Sequence, residues 1–350
     1  MLVRGLTCLF VLAGSLLPAP AHAAAGWEPG AAQQVYDPKG KLYAYAPAAI
    51  EQGATEHYWT CHNTTDGKIK DDIWHTRRSG GKIVGDRRVI ASGGTGWDKY
   101  HNCDPAVVAV TARHQGVTYG YAMFYLGNDV NASAHNQIGV AFAKTLDGPW
   151  VKYPKPVVAF PFDDPAAWGA GQPAVTAVDP AAGRLLLFYT AGGPGGTRAY
   201  RRDITLADMS APVVGPAVEV TRAGLTGSDG KPDVLNNFDV AYDPSRDRFY
   251  AVREQHPYPT VAPKQIGASL QVASIDGASI WNGGGSWRVE GVIDPALTGL
   301  PRNHNAGIVR TVYGTLPDSG SLTVIFTESC AGTCASLWSY DLWRVTGTLT

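Results

Sequence analysis

The chain has 350 residues, 29 Lys plus Arg against 30 Asp plus Glu, and a formal net charge of −1, so it lacks the basic excess that a nucleic-acid partner or an anionic membrane would require. Only 17% of its residues are charged, yet it carries 10 Trp and 16 Tyr. Aromatic faces stack on the apolar faces of sugar rings, which favours a carbohydrate partner, although most of these rings are expected simply to pack strands together.

The N-terminus reads as a secretory signal. Met1-Leu2-Val3-Arg4 gives a positive start, residues 6–17 form an apolar run, and Ala21-His22-Ala23 is a small-x-small cleavage site. Residues 1–23 are thus expected to be removed, leaving 24–350 as one secreted or periplasmic domain; an ordinary N-terminal helix is the alternative. The run is too short for a transmembrane helix and no later stretch is long and apolar enough, so no membrane partner is expected.

Downstream, five short apolar segments recur. They begin at Ala46-Pro47-Ala48-Ala49-Ile50, Asp104-Pro105-Ala106-Val107-Val108, Gln172-Pro173-Ala174-Val175, Asp239-Val240-Ala241-Tyr242 and Asn305-Ala306-Gly307-Ile308-Val309, at steps of 58, 68, 67 and 66 residues. Each is followed by further runs of strand length. The first repeat offers 46–50, 57–61 and 71–76; the second, 104–110, 117–125, 137–143 and a short fourth run at 157–159. The third offers 173–178 and 184–190, the fourth 239–242, 248–252 and 269–275, and the fifth 306–312, 322–327 and 337–343. Turn residues such as Asp179-Pro180 and Asp243-Pro244 bound them, and no segment keeps a helical period over three turns. Five repeats of about four strands predict an all-β, five-bladed β-propeller with four-stranded antiparallel blades, expected as a monomer. A two-sheet sandwich does not predict the even spacing, and a β-helix repeat is far shorter.

Cys8 leaves with the signal, and four cysteines remain. An even number in an exported chain predicts two disulfides. Cys330 and Cys334 would close a small loop, and Cys61 with Cys103 would clip the first repeat to the second. A metal site is the competing reading, but CxxC spacing is absent.

In a propeller the residue that starts each innermost strand faces the channel mouth. Asp104 and Asp239 would then share that mouth, with Gln172 and Asn305 between them. Two carboxyl groups across a funnel suit glycosidic hydrolysis. One protonates the leaving oxygen and the other activates water or attacks the anomeric carbon, at a separation of roughly 5 to 9.5 Å. Gln172 and Asn305 would hydrogen-bond sugar hydroxyls. Asp104 follows a stretch dense in polar and aromatic groups that includes Trp97 and His101, both candidate sugar contacts. Yet Asp-Pro also occurs at 37, 164, 179, 243 and 294, so a plain turn accounts for the dipeptide equally well. Glu254, at a strand end, is the candidate acid, and Glu328 is its counterpart in the fifth repeat; each also reads as a solvated strand end. His304 reads as a ligand for a sugar hydroxyl or a central metal ion, or as a loop histidine bonded to backbone. His62, Asp71 and Asp72 are further candidates near the first repeat. No cofactor is called for, though a structural calcium ion in the channel is compatible. Gly192 to Gly196 lacks the lysine and helix of a phosphate loop, and no Gly-x-Ser-x-Gly elbow is present.

These residues resemble the furanosidase superfamily of five-bladed propellers, which includes the arabinanases and β-xylosidases of glycoside hydrolase family 43. The resemblance is carried by Asp104-Pro105-Ala106-Val107-Val108, by Ile138-Gly139-Val140-Ala141 with Gly148-Pro149-Trp150, and by Gly169-Ala170-Gly171-Gln172-Pro173-Ala174-Val175. It implies a glycoside hydrolase acting on an arabinan- or xylan-type polysaccharide or oligosaccharide. It further implies an aspartate base on the first blade, a pKa-tuning aspartate on the second and a glutamate acid on the third. Asp104 falls on the second-blade position. Ala46 stands where the base would be and Gln172 where the acid would be, and neither side chain can do that work. Either the catalytic set has moved, with Asp239 and Glu254 or Glu328 supplying it, or the protein binds glycans without cleaving them.

Overall fold

Alternating burial along the strands sets the architecture. In the computed structural model, which describes residues 26–38, 43–63, 70–261, 264, 266–329 and 340–349, Val107 and Met123 point into one apolar layer while Val108 and Phe124 point into the next. Leu187 and Phe188 part in the same way. Successive side chains on a strand face opposite sides, so a sheet apolar on both faces must be covered on both. The expected signal at 1–23 and the Cys330–Cys334 pair lie outside the described residues.

The strands group into five antiparallel units. The first holds Ala44–Gln52, Thr55–Asn63, Asp71–Ser79 and Lys82–Ile90; the second, His101–His114, Val117–Asn128, Gln137–Ala143 and Val151–Lys152. The third holds Gly169–Asp179, Arg184–Gly193 and Gly196–Thr205, with two short pieces on its outer edge. The fourth holds Asp239–Asp243, Arg248–Glu254, Leu270–Asp276 and Arg288–Ile293. The fifth takes Asn303–Arg310, Ser321–Ser329 and Tyr340–Thr348 from the end of the chain, and its outer edge from the beginning: Gln33–Tyr36 and Gly26–Trp27 both pair with Tyr340–Thr348. That borrowed edge was not anticipated from the repeats. The short run at 157–159 does not become the outer strand of the second unit either. Val151–Lys152 takes that place, and Val158 makes one isolated bridge to Ile138, because Pro154 and Pro156 offer no N–H to a ladder.

Apolar layers fill the spaces between successive units. Trp59, Ile73 and Met123 lie between the first and second, Phe124, Phe142 and Leu187 between the second and third, and Phe188 and Phe249 between the third and fourth. Val252 with Phe326 lies between the fourth and fifth, and Tyr58 with Ile325 between the fifth and first. The inner strands touch in the same cyclic order, and Val309 and Arg310 pair in parallel with Ala49 and Ile50 across the fifth–first junction. The only helices among the described residues are short: Gly277–Asn282, capped by Asp276, and Pro295–Thr298, capped by Asp294.

One backbone device recurs at the same level of every inner strand. Ala46, Asp104, Gln172, Asn237 and Asn305 have φ of 49°, 46°, 53°, 42° and 37°. In four of the units the ladder slips at that residue, between Tyr45 and Ala48, Cys103 and Ala106, Gly171 and Ala174, and His304 and Gly307. A left-handed, bulged residue turns its side chain off the sheet, and such residues gather at functional sites. In the fourth unit the equivalent residue is Asn237, two before the start read from the sequence. Asp239 therefore corresponds to Ala48, Ala106, Ala174 and Gly307, one step deeper. Gly307 itself is forced by crowding: a Cβ there would lie 2.0 Å from the Pro47 carbonyl oxygen.

Candidate active site

The five left-handed residues come together at one end of the inner strands. Two spaces meet there. A narrow one of about 40 Å³ runs along the axis and is lined by all five and by Asp239. A larger one of about 430 Å³ opens beside it, lined by Tyr45, His101, Asp104, Trp168, Gln172, Tyr258 and Asn305 among others. Asp104 borders both.

Asp104 is seated by its neighbours. A disulfide joins Cys61, on the second strand of the first unit, to Cys103, and the Asp104 N–H lies 3.0 Å from the Cys61 sulfur. The Gln172 N–H donates to Asp104 Oδ2 at 3.2 Å. Burial pushes the Asp104 carboxyl up to about 7, with the Gln172 N–H pulling it down and Asp71 and Glu254 adding to the rise. Near neutral pH this group both gives and takes a proton. Gln172 is tied side chain to side chain with Asn237, and its Oε1 accepts the Asn237 N–H at 2.9 Å.

Two other carboxylates lie close behind the cavity wall. Asp71 is fully buried and accepts the hydroxyls of Tyr43 at 2.7 Å and Tyr45 at 2.5 Å; His101 Nδ1 lies 3.3 Å away. Burial raises the Asp71 carboxyl against the opposing pull of His101 and the tyrosines, and burial also lowers His101. Glu254 is likewise 0% exposed. Its Oε1 accepts the Asn305 N–H at 2.9 Å and pairs closely with His304 Nδ1; its Oε2 accepts the Tyr258 hydroxyl at 2.5 Å. Burial alone would raise Glu254, but His304, Tyr258 and Asn237 outweigh it and hold the carboxyl below its ordinary value. An ionised, fully bonded carboxylate is poorly suited to donate a proton.

The remaining sequence candidates fall elsewhere. Asp239 sits down the axis, where Arg310 Nη1 meets its Oδ1 at 3.1 Å and the Ile308 N–H its Oδ2 at 2.9 Å. Arg310, 1% exposed, also reaches the carbonyls of Val175 and Val240, so it staples three units together. His304 lies under Asn305, turned to Glu254. Glu328 is opposite Asn303 and Asp341 in the fifth unit, where burial and Asp341 raise it, and it lines neither space. Trp97 stacks on Tyr125 at 5.8 Å inside the second unit, over Gly127 and Gly139, whose added Cβ atoms would meet the indole at 2.7 and 2.5 Å. His62 and Asp72 are buried within the first unit, Asp72 holding Arg88 at 3.0 Å and the Ser92 N–H at 2.6 Å. Among the described residues the two groups with metal-ligand spacing are Cys61–Cys103–Asp104 and Asp71–His101–Cys103. Each depends on a disulfide sulfur, which is no thiolate ligand.

No sequence-family model matches the chain, and no curated protein is significantly similar to it. Solved structures are similar over nearly its whole length. An α-L-arabinofuranosidase of Podospora anserina, in complex with cellotriose, is 12% identical with a TM-score of 0.58, covering 93% of this chain and 97% of that one. A family 117 glycoside hydrolase of the marine bacterium Zobellia galactanivorans is 10% identical with a TM-score of 0.62, over 93% and 91%. A family 43 enzyme of Xanthomonas citri, complexed with xylotriose, is 16% identical with a TM-score of 0.55, over 92% and 91%. The chain has the β-propeller fold that these glycoside hydrolases share. At these identities the likeness is one of fold.

In this propeller the sequence reading overlooked Tyr45, Trp168, Asn236, Asn237 and Tyr258 as cavity residues. Two signals were available. Tyr45 precedes the bulged Ala46 as Cys103 precedes Asp104, and the Asn236-Asn237 doublet stands just before the fourth strand start. Trp168 and Tyr258 come from connections between strands, where repeat spacing says nothing.

Proposed function

We propose that this chain is an exported, monomeric, five-bladed propeller that acts as a glycoside hydrolase on arabinan- or xylan-type oligosaccharides, binding the sugar in the mouth cavity with Asp104 as proton donor. The observation that carries this reading is the Asp104 carboxyl, raised to about 7 at the border of a 430 Å³ cavity rich in amide and aromatic groups. The cyclic contact of the inner strands supports five closed blades. The arabinofuranosidase and the xylotriose complex among similar structures support the sugar class. A pairing of Asp104 with Asp239 is not part of this reading, because Asp239 faces the narrow axial space and its charge is matched by Arg310.

Release of reducing sugar from arabinans, xylans and their oligosaccharides tests it. Wild type should cleave at least one of them, with a rate that falls as pH rises above about 7 and Asp104 loses its proton. Full activity in Asp104→Asn would sink the assignment. A second reading, a glycan-binding propeller without hydrolysis, is favoured by one observation: among the described residues Asp104 is the sole acidic residue lining the larger cavity, and Asp71 and Glu254 are fully buried. Calorimetric binding of an oligosaccharide that is never cleaved would select it.

A further inference from the structure

Two-carboxylate hydrolysis needs a second group in the cavity, and the side chains facing it from the fourth unit supply one of a different kind. Tyr258 lines the cavity. Its hydroxyl donates to Glu254 Oε2 at 2.5 Å and accepts from Asn236 Nδ2 at 2.8 Å. Tyr258 thus borders the sugar space with a carboxylate behind its hydroxyl to take the proton and an amide beside it. Burial and the Glu254 charge hold the phenol well above its ordinary value, so it attacks as its proton passes to Glu254 and not as a free phenolate. Glu254 is held for that task by the Asn305 N–H and His304. Its backbone is fixed in turn: Arg253, 0% exposed, donates to the Glu254 carbonyl at 2.7 Å and to Asp233 Oδ2 at 2.6 Å.

We propose that Tyr258 is the nucleophile of this site, with Glu254 as its proton acceptor, and that hydrolysis proceeds by double displacement with retention of anomeric configuration. The proposal rests on the glycoside hydrolase reading above. Tyrosine replaces the carboxylate nucleophile in some glycosidases, so the chemistry is available to a phenol backed by a base. In the first step Tyr258 Oη bonds to the anomeric carbon and its proton passes to Glu254 Oε2. The bond to the leaving oxygen breaks with its electron pair, and that oxygen takes the proton of Asp104. In the second step water bonds to the anomeric carbon and gives a proton to the Asp104 carboxylate. The bond to Tyr258 Oη breaks, and the phenolate regains its proton from Glu254. The net change is addition of one water across the glycosidic bond, with all three groups restored. Tyr45 is the poorer candidate. Its hydroxyl also meets a buried carboxylate, but Asp71 already accepts a second hydroxyl, that of Tyr43, whereas Tyr258 is the one hydroxyl on Glu254 Oε2 among the described contacts.

The test uses the full chain and 2-deoxy-2-fluoro arabinofuranosyl and xylosyl glycosides with a dinitrophenyl leaving group, which slow the second step. Wild type should gain the mass of one fluorosugar, mapped to the peptide carrying Tyr258, and proton NMR should find the retained anomer as first product. Tyr258→Phe should lose the adduct and at least about a 10³-fold factor in kcat while keeping its circular dichroism spectrum and melting temperature near wild type. Inversion, an adduct on any carboxylate, or Tyr258→Phe hydrolysing within tenfold of wild type would overturn the proposal and leave the hydrolase reading intact. A wild type that binds but cleaves nothing would overturn both. The wild-type adduct and product anomer decide the matter even where the variant fails to fold.

Discussion

The two flanks of the mouth are built alike and charged differently. On the first-unit side Tyr45 stands 2.5 Å in front of buried Asp71, with His101 beside it; on the fourth-unit side Tyr258 stands 2.5 Å in front of buried Glu254, with His304 beside it. Burial pushes both carboxyls up. Asp71 stays raised, with Asp72 adding to it, whereas at Glu254 the paired histidine and the Tyr258 and Asn237 hydrogen bonds prevail and the carboxyl ends below its ordinary value. The difference teaches that a buried carboxylate's charge is decided by the company it keeps. The same tyrosine–carboxylate pattern yields one carboxyl above and one below its ordinary value, and the charge of each adds to the rise at Asp104.

Experiments that break this contrast differ in size. The largest effect is expected on chemistry: Asp104→Asn removes what is, among the described residues, the one acidic residue lining the larger cavity and should lower kcat for glycoside hydrolysis by roughly 10²- to 10⁴-fold, read by reducing-sugar release. Next comes the axis. Arg310→Met leaves Asp239 buried without its cation, and chemical denaturation should report a loss of about 3–5 kcal/mol. Cys61→Ala with Cys103→Ala opens a link spanning 42 residues and unseats the Asp104 amide; a loss of about 2–4 kcal/mol should be accompanied by reduced hydrolysis. The pH dependence of melting should separate the carboxyls. Asp104 has a raised folded value, so its contribution is full below about pH 4 and lost as pH climbs through about 7; the slope over that window should flatten in Asp104→Asn. Glu254 has the opposite sign: its stabilisation is present at neutral pH and lost on acidification through its lowered value, and Glu254→Gln should remove that acid-side loss. The smallest change is Tyr45→Phe, which leaves Asp71 its Tyr43 bond. It should cost about 1 kcal/mol in thermal unfolding and leave kcat within a few-fold of wild type, in contrast to Tyr258→Phe.

Much of this molecule was legible in its sequence because strand periodicity and turn chemistry are local. The starts at 46, 104, 172 and 305 are the bulged residues of their inner strands, and the Cys61–Cys103 link is formed. The fourth start was displaced to Asp239 because Asn237-Phe238 lacks the proline or small residue that marks the others, and a register error of two keeps the same face of a strand. The site was harder to read. Glu254 and Asp71 carry a formal charge in any sequence listing, but burial and hydrogen bonds from distant residues set which proton each holds. Tyr258 reaches Glu254 across a turn outside the repeat. Trp97 looked like a sugar platform, and only the closeness of Gly127 and Gly139 exposes its use as packing.

The pairing of Gln33–Tyr36 and Gly26–Trp27 with Tyr340–Thr348 ties the two ends of the chain into one sheet. During synthesis, the segment that emerges first has to wait, unpaired, until some 300 residues later its partner arrives. Closing a loop of that length adds little entropy beyond a shorter one, since the cost grows only logarithmically, but it fixes the order of events. The first four units can form as they appear, while the fifth is assembled last and from both termini. Premature termination before residue 340 would therefore leave an open sheet edge at each end of the array, a product prone to pair with a second copy of itself.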